Sequence, residues 1–343
     1  MFALRLAPPH AIDDEHLARV RGTIAKALET RELRGNRAGN QAIIDELGVA
    51  VRLERDEGYC AEALDYHLGL LYAHLGDPEK AADHFNRSRT HPGTGGNQLF
   101  SDHQYESLAL RQHQEQAKER SIPSILIASM PRSASASLVQ TIAGVLDIPA
   151  MRASCGRFPD FLLVPRWFGS ASSGGAVLHD HFGPIPHNIK LLQDEGIHEL
   201  FVRVRDPRAA ACSAVNLDRR AYDDDHPTDL ENLITDRYRT AFIPWIEGWI
   251  NVAADPEADL QIEWLRYGGS REEIGATAQE VIARLATQQP ELKPYAAGQI
   301  VPVAANFVIG NDEGWRRQIS QRGQDQLWEA TPNAVRELLA LQP

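Results

Sequence analysis

Residues 124–146 read SILIASMPRSASASLVQTIAGVL. The run ILIAS at 125–129 is typical of a buried strand, and the apolar residues that follow Ser135 recur at helical spacing. A short loop of Ser and Ala residues, led by Met130, Pro131 and Arg132, joins the two. A strand, a short loop and a helix in this order direct backbone N–H groups and the positive end of a helix at one point. The stretch therefore predicts an α/β fold with an anion-binding loop.

The loop carries polar groups suited to an anion. Arg132 offers a forked set of charged donors, and Ser133, Ser135 and Ser137 offer hydroxyl donors. The loop contains no glycine and no Gly-Lys-Ser ending, which a loop for a nucleoside triphosphate and Mg²⁺ would require. An ordinary strand–turn–helix connection with a serine cap is the alternative interpretation of the loop taken alone.

Composition restricts the class of protein. The chain has 343 residues, of which 43% are hydrophobic and 24% charged, and this predicts a globular protein with two domains. The formal net charge of −12 argues against a protein that binds a phosphate backbone, so no nucleic acid partner is expected. Cys60, Cys155 and Cys212 lie far apart without a CxxC pair, which predicts neither a disulfide framework nor a zinc site.

The N-terminal sequence MFALRLAPPHAIDDEH has too short an apolar segment for a signal peptide. No window approaches the roughly 20 apolar residues that a membrane span needs. We therefore expect a cytoplasmic protein without a membrane span.

The first third of the chain differs from the rest. Residues 13–116 lack strand-like runs and show apolar residues at helical spacing. Within them, ALDYHLGLLYAHLGDPEKAADHFNRS is similar to one tetratricopeptide repeat, with matches at Leu68, Gly69, Tyr72, Gly76, Asp77, Ala81 and Phe85. We predict an all-helical domain over 1–118 and an α/β domain over 119–343. The helical domain either binds a protein partner or only packs against the domain that follows.

Beyond Ile122 strand-like and helical segments alternate. The runs at 125–129, 176–180 and 199–205 are strand-like, and turn and helix signals separate them. This alternation predicts a parallel sheet flanked by helices.

A second motif follows the last of these runs. The stretch ELFVRVRDPRAAACSAVNL at 199–217 has a strand that ends at Arg205. Asp206 and Pro207 form a helix-start signal, and Ser213 follows Arg205 by eight residues. Ligands of open α/β sheets bind at the carboxyl ends of the strands, so Arg205 is expected in a binding site.

Together the two motifs resemble the sulfotransferases. MPRSASASL at 130–138 is similar to their 5′-phosphosulfate loop, and RDPRAAACS at 205–213 to their 3′-phosphate motif. The resemblance implies the P-loop NTPase-like sulfotransferase fold and 3′-phosphoadenosine 5′-phosphosulfate (PAPS) as co-substrate. It implies a cofactor-binding set of Arg132, Ser133, Ala134, Ser135, Ala136, Arg205 and Ser213.

Ala134 departs from the sulfotransferase pattern, which has glycine at this place. Glycine tolerates a positive φ and a close approach of phosphate, whereas alanine does so only if its φ is negative. Which φ Ala134 adopts is left open by the sequence.

The resemblance also implies a catalytic base. In VLHDHFGPIPHNIKLL at 177–192, His181 matches the general base of the sulfotransferases, and His179 matches a lysine. An imidazole can accept a proton at neutral pH. Arg132 is the second catalytic residue implied, because positive charge stabilises the oxygens of the transferred group. The alternatives are structural histidines, or a metal site formed by His179, Asp180, His181 and His187.

Near the C-terminus NFVIGNDEGWRRQIS at 306–320 resembles the closing segment of the sulfotransferases in part. Gly310, Trp315 and Arg316 fit the pattern, whereas Val308 and Ile309 replace an Arg-Lys pair that contacts phosphate. The alternative is a helix start with Trp315 packed inward.

The expected function is transfer of the sulfuryl group of PAPS to a hydroxyl of a small molecule or glycan, with no metal required. One alternative is a kinase-like P-loop enzyme that binds a nucleotide. The other is a non-catalytic interaction protein of the tetratricopeptide type with a degenerate nucleotide pocket. The departures from the sulfotransferase pattern at Ala134, Ala136, Val308 and Ile309 support this alternative.

Overall fold

The fold is taken from a computed structural model, which describes residues 72, 80, 84, 108–155, 158–159, 161–222, 230–303 and 314–342. The chain divides into two compact units, Met1–Tyr105 with Val164–Arg166, and Glu106–Leu163 with Trp167–Pro343. Of the tetratricopeptide pattern only Tyr72 lies among the described residues, and it is helical. The all-helical domain and its boundary at residue 118 stay predictions.

The second unit contains the described strands and most of the described helices. The strands are β1 (Ile125–Ser129), β2 (Ala150–Met151), β3 (Ser154–Cys155), β4 (Leu162–Leu163), β5 (Val177–Asp180), β6 (Glu199–Arg205) and β7 (Gln261–Tyr267). The α-helices are α1 (Leu108–Glu119), α2 (Ser135–Leu146), α3 (Pro165–Ser172), α4 (Pro186–Asp194), α5 (Pro207–Tyr222), α6 (Leu230–Arg237), α7 (Ile243–Ala254), α8 (Arg271–Gln288), α9 (Lys293–Ala296), α10 (Gln321–Glu329) and α11 (Asn333–Leu339). A π-helical turn covers Tyr238–Phe242, and 3₁₀ turns cover Pro256–Ala258, Pro290–Leu292 and Gly314–Arg317.

The main sheet has the strand order β2-β5-β1-β6-β7, and every neighbouring pair is parallel. β3 and β4 form a separate antiparallel pair. The sequence prediction of a parallel sheet flanked by helices is confirmed. Because the strands are parallel, their carboxyl ends meet at one edge, which we call the carboxyl edge: Ser129, Met151, Asp180, Arg205 and Tyr267 end the five strands there.

Burial explains why the strands read as apolar runs. Every residue of β1 is buried, as expected for a central strand covered on both faces. On one face α2 and α8 pack against the sheet, and Ile142 and Ile282 are fully buried there. This packing holds the first residues of α2 at the carboxyl edge. No helix within the described ranges is long and apolar enough to cross a bilayer.

Candidate active site

The loop from Met130 to Ala134 joins β1 to α2 at the carboxyl edge. Arg132 has φ of 67°, and Ala134 has φ of 55° and ψ of 28°. Ala134 therefore has the positive φ that glycine adopts without a penalty, which the sequence left open. A residue with a Cβ atom loses about 1 kcal/mol in this left-handed region, and such strain is concentrated at functional sites.

The start of α2 has no side-chain cap. Within the described part of the chain, the backbone N–H groups of Ala134, Ser135 and Ala136 donate to no acceptor. Unsatisfied N–H groups at the positive end of a helix attract an anion. The backbone of this loop is therefore built for a phosphate or sulfate group.

The two sequence motifs meet in space. The Nε atom of Arg132 donates to the hydroxyl of Ser213 at 3.0 Å. The Nη1 atom of Arg205 donates to the backbone carbonyl of Arg132 at 2.9 Å. Arg205 and Ser213, more than 70 positions after Arg132 in the sequence, thus contact Arg132, so that two arginines lie together beside the loop.

The hydroxyl groups of the loop are engaged within the protein. Ser133 is fully buried and donates to the carbonyl of Met130 at 2.7 Å. The hydroxyl of Ser135 lies 2.9 Å from Nε2 of His179. The backbone, rather than these side chains, is what the loop presents at its free surface.

The second motif begins a capped helix. Asp206 accepts a hydrogen bond from the backbone N–H of Arg208 at 2.9 Å, and its carboxylate also forms an ion pair with the Arg208 side chain at 2.9 Å. The Arg208 guanidinium lies 4.7 Å from the ring centre of Trp315. These two charged residues therefore hold the start of α5 and the 3₁₀ turn at 314–317 together.

Trp315 is 3% exposed, which confirms the interpretation that it packs inward. Val308, Ile309 and Gly310 lie outside the described residues.

His181 follows β5 directly and is positioned by the neighbouring strand β1. Its Nδ1 atom lies 2.7 Å from the carbonyl oxygen of Ser129, and its backbone N–H donates to the Asp180 carboxylate at 3.1 Å. A carbonyl oxygen only accepts hydrogen bonds, so the neutral ring carries its proton on Nδ1. The lone pair is therefore on Nε2, the atom that a general base needs free.

His179, in β5, and His181, just after it, are both held neutral at pH 7. Burial is the main cause that lowers the pKa of His179 well below 6.5, and His181 and Arg152 lower it further. Burial also lowers the pKa of His181, as do Arg152 and Arg132, against the opposing effect of Asp180 and of the Ser129 carbonyl. His179 therefore cannot supply the permanent charge of the lysine that it replaces.

Arg152 supplies charge that the sequence motifs did not identify. It follows β2, whose Met151 pairs with Leu178, so it lies alongside His179 at the carboxyl edge. Arg152 is partly buried, and its charge lowers the pKa of both histidines. A lone Arg in MRASC gave no signal, because only the register of β2 with β5 brings it here.

Arg203 is a second arginine that sequence reasoning missed. It is fully buried, and burial lowers its pKa to about 10, so it stays protonated at neutral pH. Its donors reach the carbonyl of Ser133 at 3.2 Å and the carbonyl of Arg266 at 2.9 Å. A charged residue inside the apolar run ELFVRVR was the available signal, since buried arginines are rare.

The four residues considered as metal ligands do not converge. His187 directs Nε2 to the carbonyl of Leu163 at 2.9 Å. Among the residues that the structure describes, no group of three or more His, Cys, Asp or Glu side chains could hold a metal ion.

Known proteins resemble this chain only distantly, and only in fold. The sequence matches no protein-family model, and no curated protein matches it. Among solved structures, the fold is similar to that of mouse sulfotransferase SULT7A1 complexed with PAP, with a TM-score of 0.45 and 13% sequence identity. The matched region covers 67% of this chain and 93% of the mouse chain. Function is therefore inferred from the residues of the site.

Proposed function

We propose that this chain is a sulfotransferase that moves the sulfuryl group of PAPS to a hydroxyl of a small molecule or glycan. The observation that carries the proposal is the meeting of the two motifs: the Arg132 side chain contacts Ser213, and Arg205 contacts the Arg132 carbonyl. Each motif alone has an ordinary structural interpretation. Their contact at the carboxyl edge of a parallel sheet places two cations beside free backbone N–H groups.

The charges of the site fit a substrate with two anionic groups. In the proposed complex the N–H groups of Ala134, Ser135 and Ala136 and the Arg132 side chain bind the 5′-phosphosulfate. Arg205 and Ser213 bind the 3′-phosphate. Charged forked donors are the strongest hydrogen-bonding partners that a protein offers to such groups.

In the proposed reaction His181 accepts the proton of the acceptor hydroxyl at Nε2 while the hydroxyl oxygen attacks sulfur in line. The new O–S bond forms as the bond between sulfur and the 5′-phosphate oxygen breaks, and that oxygen keeps the electron pair. The products are a sulfate ester and adenosine 3′,5′-bisphosphate. Arg132 and Arg152 stabilise the oxygens of the group in transfer, which compensates for the uncharged His179.

The first test is calorimetric titration with adenosine 3′,5′-bisphosphate and with ATP. We expect the bisphosphate to bind and Arg205→Ala to lose at least tenfold in affinity, since hydrogen bonds to charged groups contribute about 1.5–3 kcal/mol. Absence of bisphosphate binding would overturn the proposal, and tighter binding of ATP would indicate a kinase-like enzyme instead.

The second test measures labelled sulfate released from PAPS, either to water or to acceptors in a cell extract. His181→Ala is expected to lower the rate by about 10²–10⁴-fold, the usual contribution of a general base. His198→Ala is the matched control, because His198 is exposed and lies before the amino end of β6. Binding of the bisphosphate without any transfer would indicate a non-catalytic binding protein.

A further inference from the structure

Arg203 lies behind the anion-binding loop and has no role in the reaction as proposed so far. It is on β6, two residues before Arg205, so the two side chains leave the sheet on the same face. Both guanidinium groups lie over the ring of Tyr267, at 5.0 Å and 5.5 Å from its centre. Arg203 is fully buried, whereas Arg205 is 6% exposed.

The contacts of Arg203 tie three segments together. Its Nε atom donates to the Ser133 carbonyl of the loop. Its Nη1 atom donates to the carbonyl of Arg266 on β7 and to the hydroxyl of Thr277 on α8, the latter at 3.3 Å. Arg205 binds the preceding loop carbonyl, that of Arg132. Two arginines of one strand therefore hold two consecutive carbonyl groups of the loop.

The hydrogen bond from Arg203 to the Ser133 carbonyl determines the direction of the Ala134 N–H. In a trans peptide the C=O and the following N–H are directed to opposite sides. Because the Ser133 carbonyl is turned inward to Arg203, the Ala134 N–H is turned outward, away from the sheet. Ala134, which follows this peptide, and Arg132, one residue before Ser133, are both left-handed, and such strained residues persist where surrounding contacts hold them.

The charge of Arg203 is only partly balanced, because Glu273 and Glu280 raise its pKa without pairing with it. Within the described residues no carboxylate forms an ion pair with it, and its Nη2 atom is buried without a hydrogen-bond partner. Burying a charge whose hydrogen-bonding groups are not all satisfied costs free energy, and a nearby anion reduces that cost. An anion bound at the loop would lie on the far side of the peptide that Arg203 holds.

We infer that Arg203 is a positioning residue for the 5′-anion: by holding the Ser133 carbonyl it directs the Ala134 N–H at the 5′-phosphate or phosphosulfate. This inference rests on the proposed function of the loop. It assigns Arg203 no contact with the substrate, and it separates its role from that of Arg205, which binds the other end of the nucleotide.

The test compares two nucleotides that differ only at the 5′ position, adenosine 3′,5′-bisphosphate and adenosine 3′-monophosphate. Calorimetry with Arg203→Met is expected to show affinity for the bisphosphate lowered about tenfold, with affinity for the monophosphate unchanged. Arg205→Ala is expected to weaken both. Arg208→Met is the matched control, a buried arginine over an aromatic ring that touches neither the loop nor Ser213, and it is expected to change neither affinity.

Equal loss for both nucleotides in Arg203→Met, or no loss for either, would overturn the inference while leaving the proposed function intact. If the unaltered protein binds neither nucleotide, the proposed function itself fails. Should Arg203→Met not fold, Arg203→Lys decides, because its ammonium still donates to one carbonyl. It is expected to lose bisphosphate affinity by a smaller factor and to keep monophosphate affinity, and an unselective loss would contradict the inference.

Discussion

The helices α2 and α5 each follow a strand of the same sheet, α2 after a five-residue loop and α5 after one residue, and their first turns are built in opposite ways. Asp206 caps α5 with its carboxylate and pairs with Arg208. The start of α2 has no side-chain cap, and Ala134 before it is left-handed. A capped start satisfies its N–H groups within the protein, so it is structural. An uncapped start with strained residues leaves its N–H groups to a ligand.

The largest expected effect comes from removing the cation beside the uncapped start. Arg132→Met is expected to lower the rate of sulfate release from PAPS by about 10²–10³-fold, the usual cost of losing a donor to developing charge. Arg132→Lys keeps the charge and is the matched control, with a much smaller loss. A rate unaffected in Arg132→Met would mean that the uncapped helix does not mark the transfer site.

A smaller effect, on stability alone, is expected at the capped start. Asp206→Ala should lower the free energy of unfolding by about 1–2 kcal/mol, since it removes the helix cap and the ion pair of Arg208. Urea denaturation measures this loss, and calorimetry should show unchanged affinity for adenosine 3′,5′-bisphosphate. Asp206→Asn retains the capping oxygen and should lose less. Loss of nucleotide affinity without loss of stability would contradict the structural role of the cap.

Acid should destabilise the region around the uncapped start. The folded protein lowers the pKa of His179 and His181 below 6.5, so the unfolded chain binds more protons than the folded one. The free energy of unfolding is therefore expected to fall as the pH drops below about 6.5, the usual pKa of histidine, and to be fully recovered above it. Urea denaturation across pH 5–8 checks this dependence.

Replacing His179 by Gln should make that pH dependence shallower, because it removes a buried ring whose pKa the fold lowers. An unchanged dependence in His179→Gln would show that burial of this ring is not its cause.

The smallest expected effect compares two alanines of the same loop. Ala134→Gly should raise the free energy of unfolding by about 0.5 kcal/mol, because glycine adopts the left-handed conformation without a penalty. Ala136→Gly, inside α2, should lower it by about 0.5–1 kcal/mol. Urea denaturation of both variants tests the strain directly. Changes of the same sign would indicate that Ala134 is not strained.

The sequence predicted much of the fold because its signals are local. The run at 125–129 is β1 as observed, the run at 199–205 is β6, and the helix expected from Ser135 begins there. Strand propensity, helix spacing and the Asp-Pro start each depend on a few neighbouring residues. The sequence left the φ of Ala134 open for the same reason, because contacts of the loop with β6 fix this angle rather than alanine itself.

Arg152 and Arg203 could not be assigned from the sequence because their surroundings come from strand register. Arg152 lies beside His179 only because Met151 pairs with Leu178 in a parallel ladder. Arg203 reaches the loop because Met130 and Arg203 are joined by a backbone hydrogen bond of 2.9 Å between β6 and the end of β1. Neither relation has a sequence signature, since the paired residues are far apart in the chain.

By itself the sequence determined the alternation of strands and helices, the two motifs and the histidine suited to accept a proton. The tertiary structure decided which hydroxyls remain available, which N–H groups stay free and which arginines surround the loop. The physical reason is that hydrogen-bond satisfaction and burial are properties of neighbours in space. A serine or an arginine binds the substrate, holds the backbone in place or is buried with an internal partner, depending on which groups the fold places within about 3 Å of it.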